Sequence, residues 1–287
     1  LALVAVMFYG VGAKGAQRWL DLGVTRVQPS ELMKVAVPMM VSSFLGKRYI
    51  PPSFQHIFIS LVLILLPVLL IVDQPDLGTA ILVFTSGFFV LFLAGLGKRY
   101  LLSTFLLVMA AIPTLWVFVM RDYQKQRVLT LLSPEDDKLG AGWNIIQSTT
   151  AIGSGGLAGK GWMQGTQSQL NFLPESHTDF IIAVLAEEFG LIGVLALCIA
   201  YFLFVGRCML IALNSQSQFG RLIAGSLSLT FFIYIFVNMS MVSGILPVVG
   251  VPLPLISYGG TSVVALFLGF GILMAISTEP KRIRMDL

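Results

Sequence analysis

Charged residues are scarce in this sequence. Only 11% of its 287 residues are Asp, Glu, Lys or Arg, whereas 56% are hydrophobic. A soluble globular domain usually carries about twice that charged fraction. Continuous apolar runs long enough to cross a bilayer recur along the chain. The scarcity of charge excludes an ordinary water-soluble fold and predicts a helical membrane protein.

Cysteine clusters, alternating hydrophobicity and a nucleic-acid signature are lacking as well. Cys198 and Cys208 lie in or beside one apolar segment without metal-ligand spacing, and we predict that both are reduced. The runs are continuous instead of alternating, which argues against strands, because an open sheet cannot satisfy its backbone in lipid. The net charge of +4 comes from basic residues at the ends of apolar runs. Such residues are typical of helix anchors, so no nucleic-acid partner is expected.

The apolar runs predict an all-α fold, a polytopic bundle of membrane helices with one partial span and seven fuller ones. The sequence has no initiator Met and no recognisable signal peptide, so we expect it to begin inside a helix. The first fuller run is short, and its helix is expected to start one turn earlier, in QPSE. The partial span covers 1–11, and the fuller ones cover 32–46, 54–72, 77–96, 100–120, 180–205, 222–246 and 261–277.

The placement of basic residues predicts the orientation of this single transmembrane domain, 1–287. With the C-terminus inside, the segments 12–31 and 121–179 face outward. The second of these is far longer than a normal connection, and its interspersed aromatic and aliphatic residues predict an ordered extracytoplasmic cap. The inner cations are Lys47, Arg48, Lys98, Arg99, Arg207, Arg221, Lys281, Arg282 and Arg284.

The glycine-rich stretch IGSGGLAGKGW, residues 152–162, suggests a phosphate loop at first sight. The Walker pattern, however, requires Gly at the position of Ser154 and Ser or Thr at the position of Gly161. The stretch is also predicted to face outward, where ATP is absent, and an ATP-driven machine is therefore excluded. A tight turn and a direct contact with pyrophosphate both stay open.

Two short polar motifs lie at outer helix ends. In QPSELMK, Glu31 and Lys34 are three residues apart and share a helix face. This pair either locks helix packing or lets Lys34 offer its charge to a phosphate while Glu31 holds it in place. In DQPDLGT, Asp76 is expected to cap the following helix. Metal binding by Asp73 or Asp76 is the alternative.

The segment LPESHTDFIIAVLAEEFG places several polar residues at a helix entrance. Asp179 stands where the long loop enters the helix, beside His177 and Thr178. Glu187 and Glu188 follow two turns deeper. A carboxylate at a half-dry helix entrance suits a general base. The structural alternative is an N-capping Asp followed by two acids that face a polar interior.

The motif PLISYGGTS combines tandem glycines with hydroxyl side chains at the last outer helix entrance. It resembles a broken or tightly packed helix end that lines a cavity, with Ser257 as its candidate for the site. The prolines before it, Pro247, Pro252 and Pro254, predict a rigid re-entrant loop. A purely structural role is the alternative.

Taken in order, these motifs resemble those of the SEDS family (shape, elongation, division and sporulation). They are GAKGAQRWLDLG, QPSELMK, DQPDLGT, GSGGLAGKGW, NFLPESHTDFIIAVLAEEFG and PLISYGGTS. The resemblance covers essentially the whole chain and is closest to the rod-shape elongation branch. It implies ten transmembrane helices, so that two helices and the start of a third would precede this sequence. It also implies a multi-pass protein of the bacterial cytoplasmic (inner) membrane with its active site facing the periplasm.

The resemblance implies a peptidoglycan glycosyltransferase. Such enzymes polymerise lipid II, a disaccharide-pentapeptide on undecaprenyl pyrophosphate, into glycan strands. They work with a class B penicillin-binding protein, the transpeptidase of the elongation machinery. The essential acidic residue of the family's largest extracytoplasmic loop corresponds to Asp179, and the family's Glu–Lys pair corresponds to Glu31 and Lys34. A transporter that flips lipid II and a non-catalytic scaffold are the alternatives.

The resemblance and the predicted topology together suggest a mechanism. Asp179 would deprotonate an acceptor sugar hydroxyl, whose oxygen attacks the anomeric carbon and displaces the lipid pyrophosphate with inversion. Cations such as Lys34 would stabilise the departing charge. A divalent metal, Mg or Mn, could share this task, although the sequence assigns it no site. The further candidates for binding the substrate or supporting the site are Arg18, Arg26, Gln28, Lys160, His177, Thr178, Glu187 and Ser257.

Overall fold

The structure is a computed structural model that describes residues 2–13, 16–21, 23, 25–120, 122–137, 140–170, 172–173 and 175–279. Arg121 and the predicted inner cations Lys281, Arg282 and Arg284 lie outside the described residues. The helices are α1 (Ala2–Tyr9), α2 (Pro29–Leu45), α3 (Phe54–Asp73), α4 (Leu77–Leu93), α5 (Lys98–Thr114), α6 (Asp122–Leu132), α7 (Ala141–Gly155), α8 (Thr166–Gln169), α9 (Ile181–Asn214), α10 (Gln218–Val242) and α11 (Gly260–Ser277).

The expectation of an all-α chain is wrong for the polar segment that follows α1. Strands β1 (Val11–Ala13), β2 (Ala16–Asp21) and β3 (Arg26–Val27) are antiparallel, and β2 pairs with both of the others. An open sheet edge would be unsatisfied in lipid. This segment, however, connects two apolar runs without belonging to either, and exposed edges there can hydrogen-bond to water. The fold is therefore mostly helical with a small sheet.

The predicted apolar runs all coincide with helices. α2 begins at Pro29, before its apolar run, as expected, and Pro suits a first turn because its missing N–H has no helical partner there. α9 continues past Arg207 to Asn214, since a charged side chain ends a hydrophobic run without ending a helix. Among the described residues, α3, α9, α10 and α11 are long and apolar enough to cross a membrane, and α4 is shorter. The count of seven full spans stays a prediction.

The described residues fall into two compact units, although one transmembrane domain over 1–287 stays a prediction. The first unit takes its residues from Leu1–Leu96, Leu203–Ile233 and Gly259–Leu287, and the second from Gly97–Phe202 and Tyr234–Tyr258. In the first unit, α2, α3 and α4 share a buried apolar cluster. The Ser226 hydroxyl of α10 donates to Ser86 O of α4 at 2.6 Å. A buried hydroxyl with a carbonyl partner avoids the penalty of an unpaired polar group.

In the second unit, the long loop between α5 and α9 is largely helical. It contains α6, α7, α8 and a 3-10 turn at Pro134–Asp136. Ile145 and Ala151 of α7 are buried, and the Ser148 hydroxyl donates to Val242 O at 2.9 Å. These contacts attach the loop to the end of α10. Both cysteines of the chain are free, as predicted.

Helix α9 is interrupted at Gly190, whose φ of 65° and ψ of −163° are not helical. At the break, main-chain groups on both sides lose their helical hydrogen-bond partners. They pair instead with main-chain groups of the turn 156–161. Within lipid such groups must be satisfied by the protein itself, so the glycine-rich turn and the break form one structural element. The pairs are Lys160 N to Glu187 O (3.0 Å), Gly161 N to Glu188 O (3.0 Å), Leu191 N to Gly156 O (2.9 Å) and Ile192 N to Leu157 O (3.2 Å).

Candidate active site

Asp179 lies at the entrance to α9, where the sequence places it. The helix begins at Ile181, and Asp179 itself is half-buried. The next side chain, Phe180, is 1% exposed and anchors the helix start in the second unit. A half-buried acidic residue is therefore followed directly by a firmly packed aromatic residue.

The PLISYGG segment holds the main chain just before Asp179. His177 O accepts a hydrogen bond from Tyr258 N at 3.0 Å. Thr178 O accepts a second hydrogen bond from the Ser257 hydroxyl. Ser257 thus contacts the turn of the candidate site directly, and its hydroxyl supports that turn through the main chain.

Asn238, on α10, is a residue that the sequence reasoning missed. Its side-chain amide donates to Asp179 O at 2.9 Å and to Val251 O at 2.7 Å. Two carbonyl acceptors settle which way the amide points, because only the NH₂ group can donate to both. Asn238 is 0% exposed, and its Oδ1 has no partner among the described residues. The available signal was the one side-chain amide in the apolar run 222–246, since polar side chains within spans are commonly functional.

Gly250 borders the carboxylate of Asp179. Its φ is 73°, in the left-handed region that favours glycine. A β-carbon at this position would lie 3.5 Å from Asp179 Oδ2. Gly250 therefore brings main chain close to this oxygen.

The neighbouring candidates His177 and Thr178 differ in their surroundings. The His177 side chain is exposed. The Thr178 hydroxyl donates to Glu175 Oε2 at 3.0 Å, and Glu175 has a φ of 56°. Thr178 therefore contributes to the shape of the turn, whereas the His177 ring reaches solvent.

Glu187 and Lys160 form an ion pair. Lys160 Nζ lies 2.7 Å from Glu187 Oε1, and Glu187 is fully buried. The carboxylate also accepts from the Thr166 hydroxyl at 3.1 Å and from Gln167 N at 3.0 Å. Ser168 N donates to its other oxygen at 3.3 Å. Glu187 thus supports the site by attaching the glycine-rich turn to α9. This favours the tight-turn interpretation of that stretch over a pyrophosphate contact by Lys160.

Glu31 and Lys34 form the ion pair that their spacing predicts. Lys34 Nζ lies 2.7 Å from Glu31 Oε1, and the two side chains are 11% and 8% exposed. Removing two charges from water is costly unless they pair closely, as they do here. The ammonium of Lys34 donates to Glu31, which orients it. This geometry is compatible with both roles that the spacing left open.

Arg18 and Gln28 converge on Asp76 in the first unit. Asp76 caps α4, as predicted, by accepting from Thr79 N at 3.3 Å. Gln28 Nε2 donates to Asp76 Oδ2 at 2.9 Å. Arg18 lies 3.8 Å from Oδ1 and also donates to Pro75 O. The polar segment that contains the small sheet is thereby attached to the connection between α3 and α4.

Arg26 belongs to a different environment. Its Nε lies 3.5 Å from Asp21 Oδ2, and its side chain is 63% exposed. The two residues face each other across β2 and β3. Water screens such a surface pair, which gives it little energetic weight.

Asp73 and Asp76 do not fit a metal site. Asp73 is exposed at the end of α3, and N–H donors already occupy the Asp76 carboxylate. No group of three His, Cys, Asp or Glu side chains clusters within the described ranges. Mg²⁺ and similar cations need several oxygen ligands in one place. The described residues around Asp73 and Asp76 therefore do not supply the ligands that a divalent metal needs.

The motifs on these elements match a known family. The sequence model of the FtsW, RodA and SpoVE proteins, described as cell cycle protein, matches residues 1–282. The chain belongs to this family. The resemblance to the SEDS proteins is thereby confirmed, and with several apolar helices the chain is a multi-pass membrane protein.

Curated SEDS relatives cover nearly all of the chain. The peptidoglycan glycosyltransferase MrdB of Escherichia coli K12 is 60% identical over 281 residues, which are 98% of this chain and 76% of that protein. The probable peptidoglycan glycosyltransferase FtsW of Geobacter metallireducens is 40% identical over 286 residues, which are 98% of this chain and 75% of that protein. The higher identity to MrdB agrees with the resemblance to the rod-shape branch.

Solved structures share the SEDS fold. A chain from a peptidoglycan synthase complex that coordinates polymerization and crosslinking has a TM-score of 0.83 at 30% identity, covering 98% of this chain and 79% of that chain. The rod shape determining protein RodA of Thermus thermophilus has a TM-score of 0.68 at 28% identity, covering 96% of this chain and 74% of that chain. The mostly helical architecture is therefore that of the family.

Proposed function

We propose that this SEDS protein is a peptidoglycan glycosyltransferase that polymerises lipid II into glycan strands during rod-shape elongation. The observation that carries the proposal is the site of Asp179. Asp179 is half-buried, and hydrogen bonds hold three successive main-chain carbonyls, those of His177, Thr178 and Asp179. The 60% identity to a peptidoglycan glycosyltransferase supports the same activity.

In this reaction Asp179 acts as the general base. It takes the proton of an acceptor sugar hydroxyl while the oxygen bonds to the anomeric carbon of the donor. The bond from that carbon to the pyrophosphate oxygen breaks, and undecaprenyl pyrophosphate leaves with the bonding electrons. Attack from the opposite face inverts the anomeric centre. Fixing the base in place contributes to the rate, because proton transfer needs hydrogen-bond reach.

The position of Asp179 along α9 supports a reaction at the membrane surface. Residues 189–206 carry no charge and lie between Glu188 and Arg207. After the break at Gly190, residues 191–206 of this stretch rise about 24 Å at about 1.5 Å per residue, not far below the ~30 Å of a bilayer core. The helical turns from Ile181 to Glu188 precede the break. We propose that Asp179 lies in the headgroup region on the periplasmic face, where lipid II carries its sugars and pyrophosphate.

We propose Lys34 and Arg18 as the cations that stabilise the departing pyrophosphate. The Lys34 ammonium is buried and oriented by Glu31, and the Arg18 side chain is 32% exposed. Charges that are withdrawn from water act more strongly on a ligand, because water and salt screen them less. Arg26 is the weaker candidate, since it is exposed and paired with Asp21. No step is assigned to a divalent metal.

A transporter for lipid II is the other function that such a bundle could serve. In transporters, backbone groups released at broken helices coordinate the substrate or ion. At the break of α9, the main chain of residues 156–161 donates to the carbonyls of Glu187 and Glu188 and accepts from the amides of Leu191 and Ile192. These four groups are therefore occupied, which favours the enzyme over the transporter.

We also propose that a class B penicillin-binding protein is the partner of this chain in the elongation machinery. The support is the structural neighbour from a complex that couples polymerization to crosslinking. Glycan strands made by one protein would then pass to the transpeptidase that crosslinks them.

The test is polymerisation of purified lipid II by the purified full-length protein with its transpeptidase, read on a gel. The native protein should form polymer, and the Asp179→Asn variant should form none while it still inserts and binds its partner. Normal polymer from that variant would remove Asp179 as the base. No polymer from either protein, together with movement of lipid II across vesicles, would favour the transporter.

A further inference from the structure

The glycine-rich turn leaves three large apolar side chains largely exposed. Leu157, Trp162 and Met163 are 71%, 69% and 63% exposed. Four main-chain hydrogen bonds attach this turn to residues 187–192 of α9, so its position relative to the helix is fixed. Gly159 permits the close approach, because a β-carbon there would collide with the main chain of α9.

The turn lies level with one end of the uncharged stretch of α9. The ring of Trp162 contacts the ring of Phe189, with centroids 5.6 Å apart. Phe189 is the first residue of the stretch 189–206, which Glu188 and Arg207 bound. Trp162 therefore lies level with the end of an apolar stretch whose length is near the thickness of a bilayer core.

The exposed side chains of the turn continue an apolar surface of α9. Leu191, Ile192 and Leu195 are 48%, 66% and 50% exposed, as expected for a helix that faces acyl chains. Ile192 N donates to Leu157 O, which places the turn directly beside this surface. The turn and this surface of α9 therefore share one environment, and α9 is long and apolar enough to cross a membrane.

The charge within the turn does not oppose this placement. Lys160 is the basic residue of the stretch, and its ammonium pairs with Glu187 at 2.7 Å. An unpaired ammonium among acyl chains is expensive. The pair leaves the turn without a net charge of its own at this level.

We propose that residues 156–163 are an interfacial anchor whose Leu157, Trp162 and Met163 side chains insert into the outer-leaflet phospholipid. Tryptophan favours the boundary between headgroups and acyl chains, and the aliphatic neighbours bury apolar area there. The anchor holds the outer end of α9, and with it the turn of Asp179, at a set height above the hydrocarbon. The proposal concerns the membrane and does not depend on the reaction.

Tryptophan fluorescence in bilayers tests the anchor. In a variant in which every tryptophan of the full-length protein other than Trp162 is replaced by Phe, Trp19, Trp116 and Trp143 among them, Trp162 becomes the reporter. The full-length variant is placed in phosphatidylcholine nanodiscs with bromine near the glycerol end or near the chain end of the acyl groups, and in nanodiscs without bromine as the control. Emission should be blue-shifted, and quenching should be about twofold stronger for bromine near the glycerol end, because tryptophan resides at that depth.

Two outcomes would overturn the proposal. Quenching by aqueous acrylamide with no effect of brominated lipid would place the turn in water. Blue-shifted emission that neither quencher affects would mean that protein, such as a second copy, covers Trp162. If the variant that retains Trp162 alone does not fold, Trp162→Phe in the native chain takes its place. The lipid-quenched part of the emission should then fall, and an unchanged part would contradict the anchor.

Discussion

Asp179 and Glu187 are two acids at the outer end of the same helix, and the structure treats them in opposite ways. Asp179 is held through its main-chain carbonyl, by Asn238, and its side chain is half-buried. Glu187 is held through its carboxylate, by Lys160 and by main-chain N–H groups, and is fully buried. Glu187 therefore stabilises the fold through its carboxylate, whereas the fold positions Asp179 through its main chain.

The largest effect expected is on the activity of the Asp179→Asn variant. Loss of a general base lowers a rate by about 10²–10⁴-fold, and the melting temperature should stay near the native value. Polymerisation and thermal unfolding, measured on the same preparation, test both halves of this expectation. A variant that loses activity together with stability would make Asp179 a structural residue like Glu187.

Glu187→Gln should show the reverse pattern. The change leaves Lys160 without its counter-charge. The Lys160 side chain is 27% exposed. The expected loss is about 3 kcal/mol, the lower end for a broken buried pair. Thermal unfolding in detergent measures it, and activity per folded molecule should stay near native. The double variant Lys160→Met, Glu187→Gln is the control and should recover part of the loss, since it leaves no charge unpaired while the amide oxygen still accepts from main-chain N–H groups.

Gly190→Ala tests whether the attachment of residues 156–161 to α9 requires the break at Gly190. A β-carbon there would collide with Gly159 N, and the φ of 65° adds strain. The expected destabilisation is about 2 kcal/mol. Gly153→Ala is the matched control, because a β-carbon at that position in α7 meets nothing within 4 Å. Equal melting temperatures for the two variants would contradict the described geometry of the break.

Asn238→Asp tests whether the hydrogen bond to the Asp179 carbonyl positions the candidate base. The introduced carboxylate would face two carbonyl oxygens, those of Asp179 and Val251, in place of donating to both. A shifted Asp179 turn should lower the polymerisation rate by about tenfold or more, because misplacement by a fraction of an ångström to 1 Å is costly.

A pH series distinguishes this positioning role from a general loss of fold. Lowering the pH protonates the introduced carboxyl, which then donates again, so the activity of the variant relative to native should rise. A ratio that does not change with pH would remove the positioning role of Asn238.

Arg26→Ala should have the smallest effect. The Arg26–Asp21 pair is exposed on both sides, and such pairs contribute about 0.2–1 kcal/mol at most. Polymerisation and melting temperature should both stay close to native. Lys34→Ala is the contrast, because it leaves Glu31 buried without its partner. A strong loss of polymerisation in Arg26→Ala would return Arg26 to the pyrophosphate site.

Much of the fold could be predicted because the signals are local. Apolar runs have the length that a bilayer demands, and each one is a helix. The spacing of Glu31 and Lys34 specifies a shared helix face, and the two side chains do pair. The cap at Asp76 follows from the free N–H groups of a helix start.

Features that depend on distant residues escaped prediction. The bond from Asn238 to Asp179 joins residues 59 apart, and the pair Lys160–Glu187 joins residues 27 apart. The small sheet was missed because its strands are short and lie outside the apolar runs. The break at Gly190 was missed because hydrophobicity continues through it while the partners of its backbone come from another segment.

Composition, apolar runs and motif order were enough to identify a membrane protein of the SEDS family, to locate its helices and to find an acid at the entrance to one of them. Length, hydrophobicity and motif order are properties of the chain, so no folding is needed to read them. The fold was needed to show that Glu187 is held through its carboxylate and Asp179 through its main-chain carbonyl. Burial and hydrogen-bond satisfaction depend on what the rest of the fold brings next to a residue.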